Sequence, residues 1–176
     1  PSQAFLQSFP LVYWDAAGSY ASAPDENAVA ALQFYTGNLI LEGDDMALRH
    51  VNNSFMRERA HSTLKSDFSF DVNFSIPLTI VQNHRIFDGI PSPIAFEYSS
   101  ARASPDALNS DLNGVALAKW DVNGAGIVAF QQGTIRHLML PFSTRRMPSS
   151  ARQTFLTNIF NWMFSNSGPD GWIETV

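Results

Sequence analysis

The chain contains no cysteine, and only 15% of its 176 residues are charged. Without thiols it can form no disulfide, offer no thiolate nucleophile and bind no metal through sulfur. No apolar run approaches the roughly 20 residues that a membrane-spanning helix requires. The formal net charge of −5 argues against nucleic acid as a partner, because surfaces that bind it are normally basic. None of the remaining patterns indicates a cofactor, and none is expected.

The residues that are present suit a single domain covering positions 1–176. Hydrophobic residues make up 45% of the chain, which is enough for a sizeable core at this length. The first residue is Pro1 rather than Met, and no signal-peptide pattern is visible, so we expect a processed chain or part of a longer one. Two Asn-x-Ser sequons occur, at Asn52 and Asn73. Together with the low charge they predict an extracellular or cell-surface glycoprotein.

The first third of the chain has the pattern of a strand, a helix and a second strand. Residues 9–14 form an apolar run typical of a buried strand, and residues 39–41 resume the sheet. A helix is expected between them, over about 23–36, with Ser22 as its N-cap and Gly37 at its end. Such a βαβ unit makes the two strands parallel neighbours.

Further along, the pattern predicts a second helix, a half-buried strand, three antiparallel strands and a closing helix. The helix is expected over about 45–59, and the alternating apolar residues of 68–76 predict the half-buried strand. A polar loop is expected over 99–113. The later strands and the closing helix are predicted at 114–120, 126–131, 135–142 and 149–164.

Three stretches of the chain have the residue pattern of one known family. Residues 36–45 read Thr-Gly-Asn-Leu-Ile-Leu-Glu-Gly-Asp-Asp, residues 83–90 read Asn-His-Arg-Ile-Phe-Asp-Gly-Ile, and the third stretch combines 126–142 with 155–162. In this order they resemble the class I glutamine amidotransferase-like domains of secreted and cell-surface proteins. The resemblance implies an α/β fold: a flavodoxin-like three-layer sandwich whose mixed sheet is mostly parallel, followed by a C-terminal antiparallel meander.

Two departures from the family pattern affect what the resemblance implies. Only eight residues precede the first predicted strand, so the family's first β-α element is missing. We therefore expect an open sheet edge that a flanking domain, a partner subunit or a second copy of the chain covers. The family's catalytic turn carries a cysteine, whereas residues 41–45 read Leu-Glu-Gly-Asp-Asp. Glutamine amidotransferase activity is accordingly excluded.

Acidic residues follow both strands of the predicted βαβ unit. Asp15 ends the first strand, while Glu42, Asp44 and Asp45 end the second. Ligand sites in such sheets lie beyond the carboxyl ends of the strands. Here Asp15, Asp44 and Asp45 could bind a hard cation, or a carboxylate pair could act as acid and base. His50, about one helical turn after Asp45, faces either this cleft or solvent.

A structural interpretation of the same residues stays open beside the chemical one. Asp44 and Asp45 are also good caps for the helix that follows, and Asp15 could simply solvate a loop. The adjacent pair Arg145 and Arg146 binds an anion or is solvated.

Two functions are therefore predicted. The first is a non-catalytic module that serves packing, subunit interaction or ligand binding. The alternative is a hydrolase that acts through the acidic cleft on a sugar-like substrate, as in trehalose-utilisation relatives of the fold.

Overall fold

A computed structural model describes residues 1–16, 20–67, 76–96, 104–110, 113–120 and 124–165. Nine strands in these ranges form one mixed sheet. They are β1 Leu11–Asp15, β2 Asn38–Glu42, β3 Ser62–Asp67, β4 Ile76–Ile80, β5 Ile94–Phe96, β6 Asp106–Ser110, β7 Val115–Trp120, β8 Ala125–Gln132 and β9 Ile135–Leu140. The helices are α1 Gln3–Leu6, α2 Glu26–Gln33, α3 Met46–Arg49, α4 Phe55–Arg59 and α5 Ser149–Met163. None of the helices in the described ranges is long and apolar enough to cross a bilayer.

The order of the strands corrects the expected fold class. The sheet runs β1-β2-β9-β8-β7-β4-β5, and β6 pairs with both β3 and β8. Only β1–β2 and β2–β9 are parallel, and the other six pairings are antiparallel. The predicted flavodoxin-like three-layer sandwich with a mostly parallel sheet and an appended meander is therefore wrong. Parallel neighbours need a crossover such as α2 between β1 and β2, whereas β3, β4, β5 and β6 pair only in the antiparallel direction.

The parallel pairing of the first two predicted strands is confirmed. Their register runs from Leu11 opposite Asn38 to Asp15 opposite Glu42. The helix between them begins later than expected, because its N-cap is Asp25, whose carboxylate accepts the Ala28 N–H at 2.8 Å. Ser22 is therefore not the cap.

Other elements differ from the sequence pattern in the middle of the chain. The helix expected over 45–59 is two short helices, α3 and α4, and Val51 between them is exposed. Strand β3 was not predicted, and β6 lies inside the expected loop of 99–113. Most of the predicted strand 68–76 falls outside the described residues, which resume at β4.

Strand β2 separates two hydrophobic clusters. Ile40 belongs to the cluster that includes Phe155 and Trp162 of α5, whereas Leu39 and Leu41 point into the one that holds Leu32 of α2. Side chains alternate along a strand, so β2 is buried on both faces. Each fully buried side chain of this size stabilises the fold by about 1.5–3 kcal/mol. The burial fixes β2 and the position of its carboxyl end.

A buried histidine lies in the neighbouring strand β9. The His137 side chain is only 4% exposed, and its Nδ1 lies 3.0 Å from Nε2 of His61. The His61 ring stacks on Phe130 at a centroid distance of 3.6 Å. Burial, followed by the nearby charges of His61 and Arg59, lowers the pKa of His137 to about 3.

We expect stability to fall as the pH is lowered from about 6.5 towards 3. The pKa of His137 is about 3 in the folded chain, compared with an ordinary value of 6.5 for an unfolded chain. Between these two pH values the unfolded state therefore binds a proton that the folded state excludes. Stability present above pH 6.5 is then lost at up to about 1.4 kcal/mol per pH unit below it. Urea midpoints at pH 7.5 and 5.5 measure this loss. It should be clearly smaller in His137→Gln, and an equal loss in that variant would contradict the assignment.

Candidate functional site

The carboxyl ends of β1, β2 and β9 meet at one end of the sheet. Asp15 pairs with Glu42, and Glu42 with Leu140. Just beyond Glu42, the Gly43 N–H donates to the Leu140 carbonyl at 3.0 Å. The segment that follows Leu140 therefore runs past the acidic residues that end the first two strands.

Gly43 allows the chain to leave β2 against β1. Its φ is +148°, a conformation that side chains disfavour, and a Cβ there would lie 2.5 Å from the Cβ of Ala16. The Ala16 N–H also donates to the Glu42 carbonyl at 2.8 Å. The segments that follow β1 and β2 thus approach closely at this point. A residue larger than glycine at position 43 would force apart the strand ends that carry Asp15 and Glu42.

Glu42 is buried and fully engaged by the chain's own donors. Its side chain is 1% exposed. Oε1 accepts the backbone N–H of Thr144 at 2.7 Å and the Thr144 hydroxyl at 2.9 Å, and Oε2 accepts the Tyr13 hydroxyl. Both carboxylate oxygens therefore serve to hold the segment after β9 against β1 and β2.

Asp44 is held in the same way by Ser143 and Arg146. The residue is 0% exposed. Its Oδ1 accepts the Ser143 N–H at 3.1 Å, and its Oδ2 forms an ion pair with the Arg146 guanidinium at 3.1 Å. The carboxylate thus lies in the protein interior with a partly buried counter-charge.

Asp15 forms the outer ion pair of this end of the sheet. Its Oδ2 lies 2.8 Å from the guanidinium of Arg145, whose side chain is 64% exposed. Arg145 and Arg146 were predicted to bind an anion or to be solvated; instead, each contacts a carboxylate at the end of a different strand. We call Asp15, Glu42, Asp44, Arg145 and Arg146 the strand-end cluster.

Burial shifts the acid–base equilibria of the buried members. Loss of hydration raises the pKa of Glu42 above its ordinary value, although the hydrogen bonds from Tyr13 and Thr144 oppose the shift. Burial likewise raises the pKa of Asp44, against the effect of the Arg146 charge. The pKa of Tyr13 is raised by burial and then by the Glu42 charge. The phenol therefore remains the donor in its hydrogen bond with Glu42.

Asp45 does not join the strand-end cluster. It adopts a left-handed conformation, with φ of 58°, and precedes α3 without a side-chain capping hydrogen bond. Asp45 thus occupies the N-cap position, but the expected capping by its side chain is not formed. One carboxylate oxygen of Asp45 instead lies within 4.8 Å of oxygens from Asp67 and Asp106, the arrangement of a possible metal site.

Asp106 takes the capping role from a distant part of the chain. Its Oδ2 accepts the N–H of Ala47 at 2.8 Å and lies 3.4 Å from the N–H of Leu48, both in the first turn of α3. Burial, and the charges of Asp45 and Asp67 to a smaller degree, raise the pKa of Asp106 to about 8. The chain thus brings three carboxylates together from the residue before α3, from β3 and from β6.

His50 lies apart from both groups of acids. It contacts the Asn53 amide at 3.0 Å and the ring of Phe55, and burial lowers its pKa to about 4. With the exposed Asn52 it lines a cavity of about 310 Å³ beside α4. The second sequon residue, Asn73, lies outside the described residues.

Several residues of the site escaped the sequence pattern. Tyr13 and Thr144 were missed because a hydroxyl inside an apolar strand or a loop gives no local signal. Asp67 and Asp106 were missed because β3 and β6 were not predicted. A usable signal for the strand-end cluster did exist. Arg145 and Arg146 follow β9, and β1 and β2 end in acidic residues, so a parallel arrangement of the three strands would bring opposite charges together.

Comparison with known proteins gives a fold but no family. No protein-family model and no curated protein match the chain. Among solved structures it is similar to the N-terminal domain of mmIFT52, with 14% identity and a TM-score of 0.62 over 96% of this chain and 83% of that one. It is also similar to a cold-adapted β-galactosidase from Rahnella sp. R3, with 14% identity and a TM-score of 0.58, covering 89% of this chain and 23% of the enzyme.

A β-galactosidase from the psychrophilic Marinomonas ef1 gives a comparable result. The identity is 10% and the TM-score 0.54, and the match covers 88% of this chain and 21% of the enzyme. The chain thus spans less than a quarter of the length of these β-galactosidases, and at such identities the likeness shows the fold alone.

These neighbours correct the predicted family. The structures named above are β-galactosidases and an mmIFT52 domain rather than amidotransferases, and the sheet has antiparallel strands at its centre. The amidotransferase-like assignment rested on three short sequence motifs. The comparisons also give no support to an extracellular glycoprotein. The chain shares its fold with one segment of β-galactosidases and with the N-terminal domain of mmIFT52.

Proposed function

We propose that this chain is a non-catalytic accessory domain that packs against another protein domain or subunit. The observation that carries the proposal is the state of the strand-end cluster, in which Glu42 and Asp44 are 1% and 0% exposed and bonded to the chain's own groups. The end of the sheet where a substrate would bind is therefore closed by internal contacts. The similarity to short segments of much longer chains is compatible with an accessory role.

The hydrolase alternative finds little support in the same contacts. An acid–base pair needs carboxylates that reach a substrate. Glu42 meets Tyr13 and Thr144, Asp44 meets Arg146, and the more accessible Asp15 is paired with Arg145. Burial raises the pKa of Glu42, as a general acid requires. However, this carboxyl group is buried and out of reach of a substrate.

An exposed aromatic patch indicates where such a domain would pack. We define the patch as Phe5, Phe9 and Phe34, which are 57%, 45% and 61% exposed. The rings of Phe5 and Phe9 meet edge to face with centroids 5.1 Å apart. The Gln7 amide donates to the Phe34 carbonyl at 2.7 Å. This hydrogen bond joins the residue that follows α1 to the residue that follows α2. The three rings are thus carried by two elements that are fixed to each other.

The aromatic patch lies beside the end of the sheet order. Phe9 immediately precedes β1 through Pro10, and β1 is the last strand on its side among the described residues. Edge strands and contiguous apolar surface are both features that proteins normally cover. A partner surface packed on this edge would bury the aromatic rings and shield the strand together.

We expect the isolated chain to self-associate through the aromatic patch. Without its partner domain, the exposed rings can be buried only against another copy of the chain. In sedimentation velocity, the weight-average sedimentation coefficient should rise between about 1 and 100 µM, the micromolar range of modest interfaces. The Phe5→Ser, Phe9→Ser double variant should remain monomeric over the same range. Val81→Ser serves as the matched control, since Val81 is 42% exposed on another part of the chain.

Two outcomes would count against the proposed function. A wild-type chain that stays monomeric at every concentration would leave the aromatic patch without a packing role. Turnover of a nitrophenyl glycoside that disappears in Glu42→Gln would show the strand-end cluster to be catalytic.

A further inference from the structure

The carboxylates of Asp45, Asp67 and Asp106 form a compact group away from the strand-end cluster. One oxygen from each lies within 4.8 Å of the other two. Asp67 and Asp106 are directly opposed in the antiparallel pairing of β3 with β6. Like charges in that position are destabilising unless something compensates them. The fold therefore places acidic groups together at a point where their mutual repulsion works against the pairing.

Asp106 supplies a second and independent observation. The residue is 0% exposed, and its Oδ1 is a buried atom that accepts no hydrogen bond. Its other oxygen is occupied by the N–H groups of α3. A buried carboxylate oxygen without a donor destabilises the fold, and more so when it is charged. The group thus presents an unsatisfied, desolvated acceptor beside two further carboxylates, which is what a cation site requires.

Local contacts already fix the other two ligands. The Ser104 hydroxyl donates to Asp67 Oδ1 at 2.6 Å, and the Asp45 N–H donates to the Ser104 carbonyl at 3.1 Å. Asp67 is exposed, whereas Asp106 is buried. A cation held between them would have protein oxygens on its inner side and water on its outer side.

The flexible coordination of calcium suits three carboxylates from separate segments better than the strict octahedron of magnesium. For three atoms no more than 4.8 Å apart, some point lies within about 2.8 Å of all of them. Calcium binds oxygen at about 2.3–2.6 Å in variable geometry, so a small movement completes the contacts. Magnesium needs about 2.0–2.1 Å and near-ideal octahedral positions. All three side chains are carboxylates, the hard oxygen donors that calcium prefers.

We propose that Asp45, Asp67 and Asp106 bind one calcium ion, which ties the start of α3 to the β3–β6 pair. The site is distinct from the acidic strand ends predicted to hold a cation, because of those residues only Asp45 takes part. The inference does not rest on the accessory role of the domain. It would hold equally if the aromatic patch had no partner.

Calorimetric titration of CaCl₂ into the chelator-treated chain tests the site. We expect saturable binding of one ion and, with excess calcium, a rise in melting temperature of about 5 °C by mass action. Asp67→Asn should weaken binding by at least about tenfold, because it removes one ligand charge. This variant is the main probe, since Asp67 is exposed and does not bond α3. Asp106→Asn should also lose the ion, and Asp88→Asn, which alters an exposed acid on another turn, should bind like the wild type.

Three results would overturn the assignment. The first is the absence of both heat and a thermal shift with calcium at millimolar concentration. The second is equal calcium affinity in the wild type and Asp67→Asn. The third is tighter binding of MgCl₂ than of CaCl₂, which would contradict the choice of ion.

Discussion

Replacing Glu42 with alanine is expected to lower the free energy of unfolding by about 4 kcal/mol. The substitution removes both acceptors of a buried network and leaves the Tyr13 hydroxyl, the Thr144 N–H and the Thr144 hydroxyl without their partner. Each buried donor left in this way costs about 1–3 kcal/mol, and the vacated volume adds to the loss. Urea unfolding followed by tryptophan fluorescence measures the change.

Glu42→Gln is the matched control for this network. The amide oxygen can still accept from Thr144, and the Tyr13 hydroxyl can rotate to accept from the new NH₂ group. We expect a loss of about 1–2 kcal/mol, less than half of that in Glu42→Ala. If the two variants were equally destabilised, the hydrogen bonds would not be the source of the effect.

The second large effect is expected from one of two adjacent arginines. Arg146→Ala should cost about 3 kcal/mol, because it leaves the fully buried Asp44 carboxylate without its counter-charge. Arg145→Ala should cost less than about 1 kcal/mol, since its pair with Asp15 is solvent-exposed and screened. The two variants differ by one position in the sequence and remove the same side chain, so each serves as the control for the other.

Salt provides an independent check on this pair of variants. Exposed ion pairs weaken at high ionic strength, whereas buried pairs are screened much less. The small effect of Arg145→Ala should vanish in 1 M NaCl, and the large effect of Arg146→Ala should persist. Equal losses for the two arginines would contradict the assignment of a buried and an exposed ion pair.

The parallel strands of the first third were predictable because their signals are local. An apolar run, a helix with an acidic first turn and a second apolar run are enough to specify β1, α2 and β2. The same logic located α5 and the strands β7 to β9, whose periodicity is strong. It could not give the pairing of β9 with β2, which depends on long-range packing that no short window contains.

The candidate site was predictable only in part, for a related reason. Asp15 and Glu42 follow strands that were recognised, so their approach could be expected. Thr144, Arg145 and Arg146 reach them only through the pairing of β2 with β9. Asp106 lies in a strand whose polar ends, Asp106 and Ser110, read as loop. Sequence patterns therefore identified the site residues that lie at the ends of predicted strands. They missed the residues that reach the site only through tertiary contacts.

The position of β2 has a consequence for how the chain folds. The Glu42–Thr144 contact joins residues 102 positions apart, and the hydrogen bond from the Arg136 N–H to the Asn38 side chain spans 98. Closing loops of that length costs conformational entropy before any of these contacts can stabilise the chain, and such non-local pairing slows folding. Until the last third has been made and has docked, two carboxylates of the β1–β2 unit must remain hydrated. The β1–β2 unit thus keeps hydrated carboxylates at its end until β9 and the segment that follows it have docked.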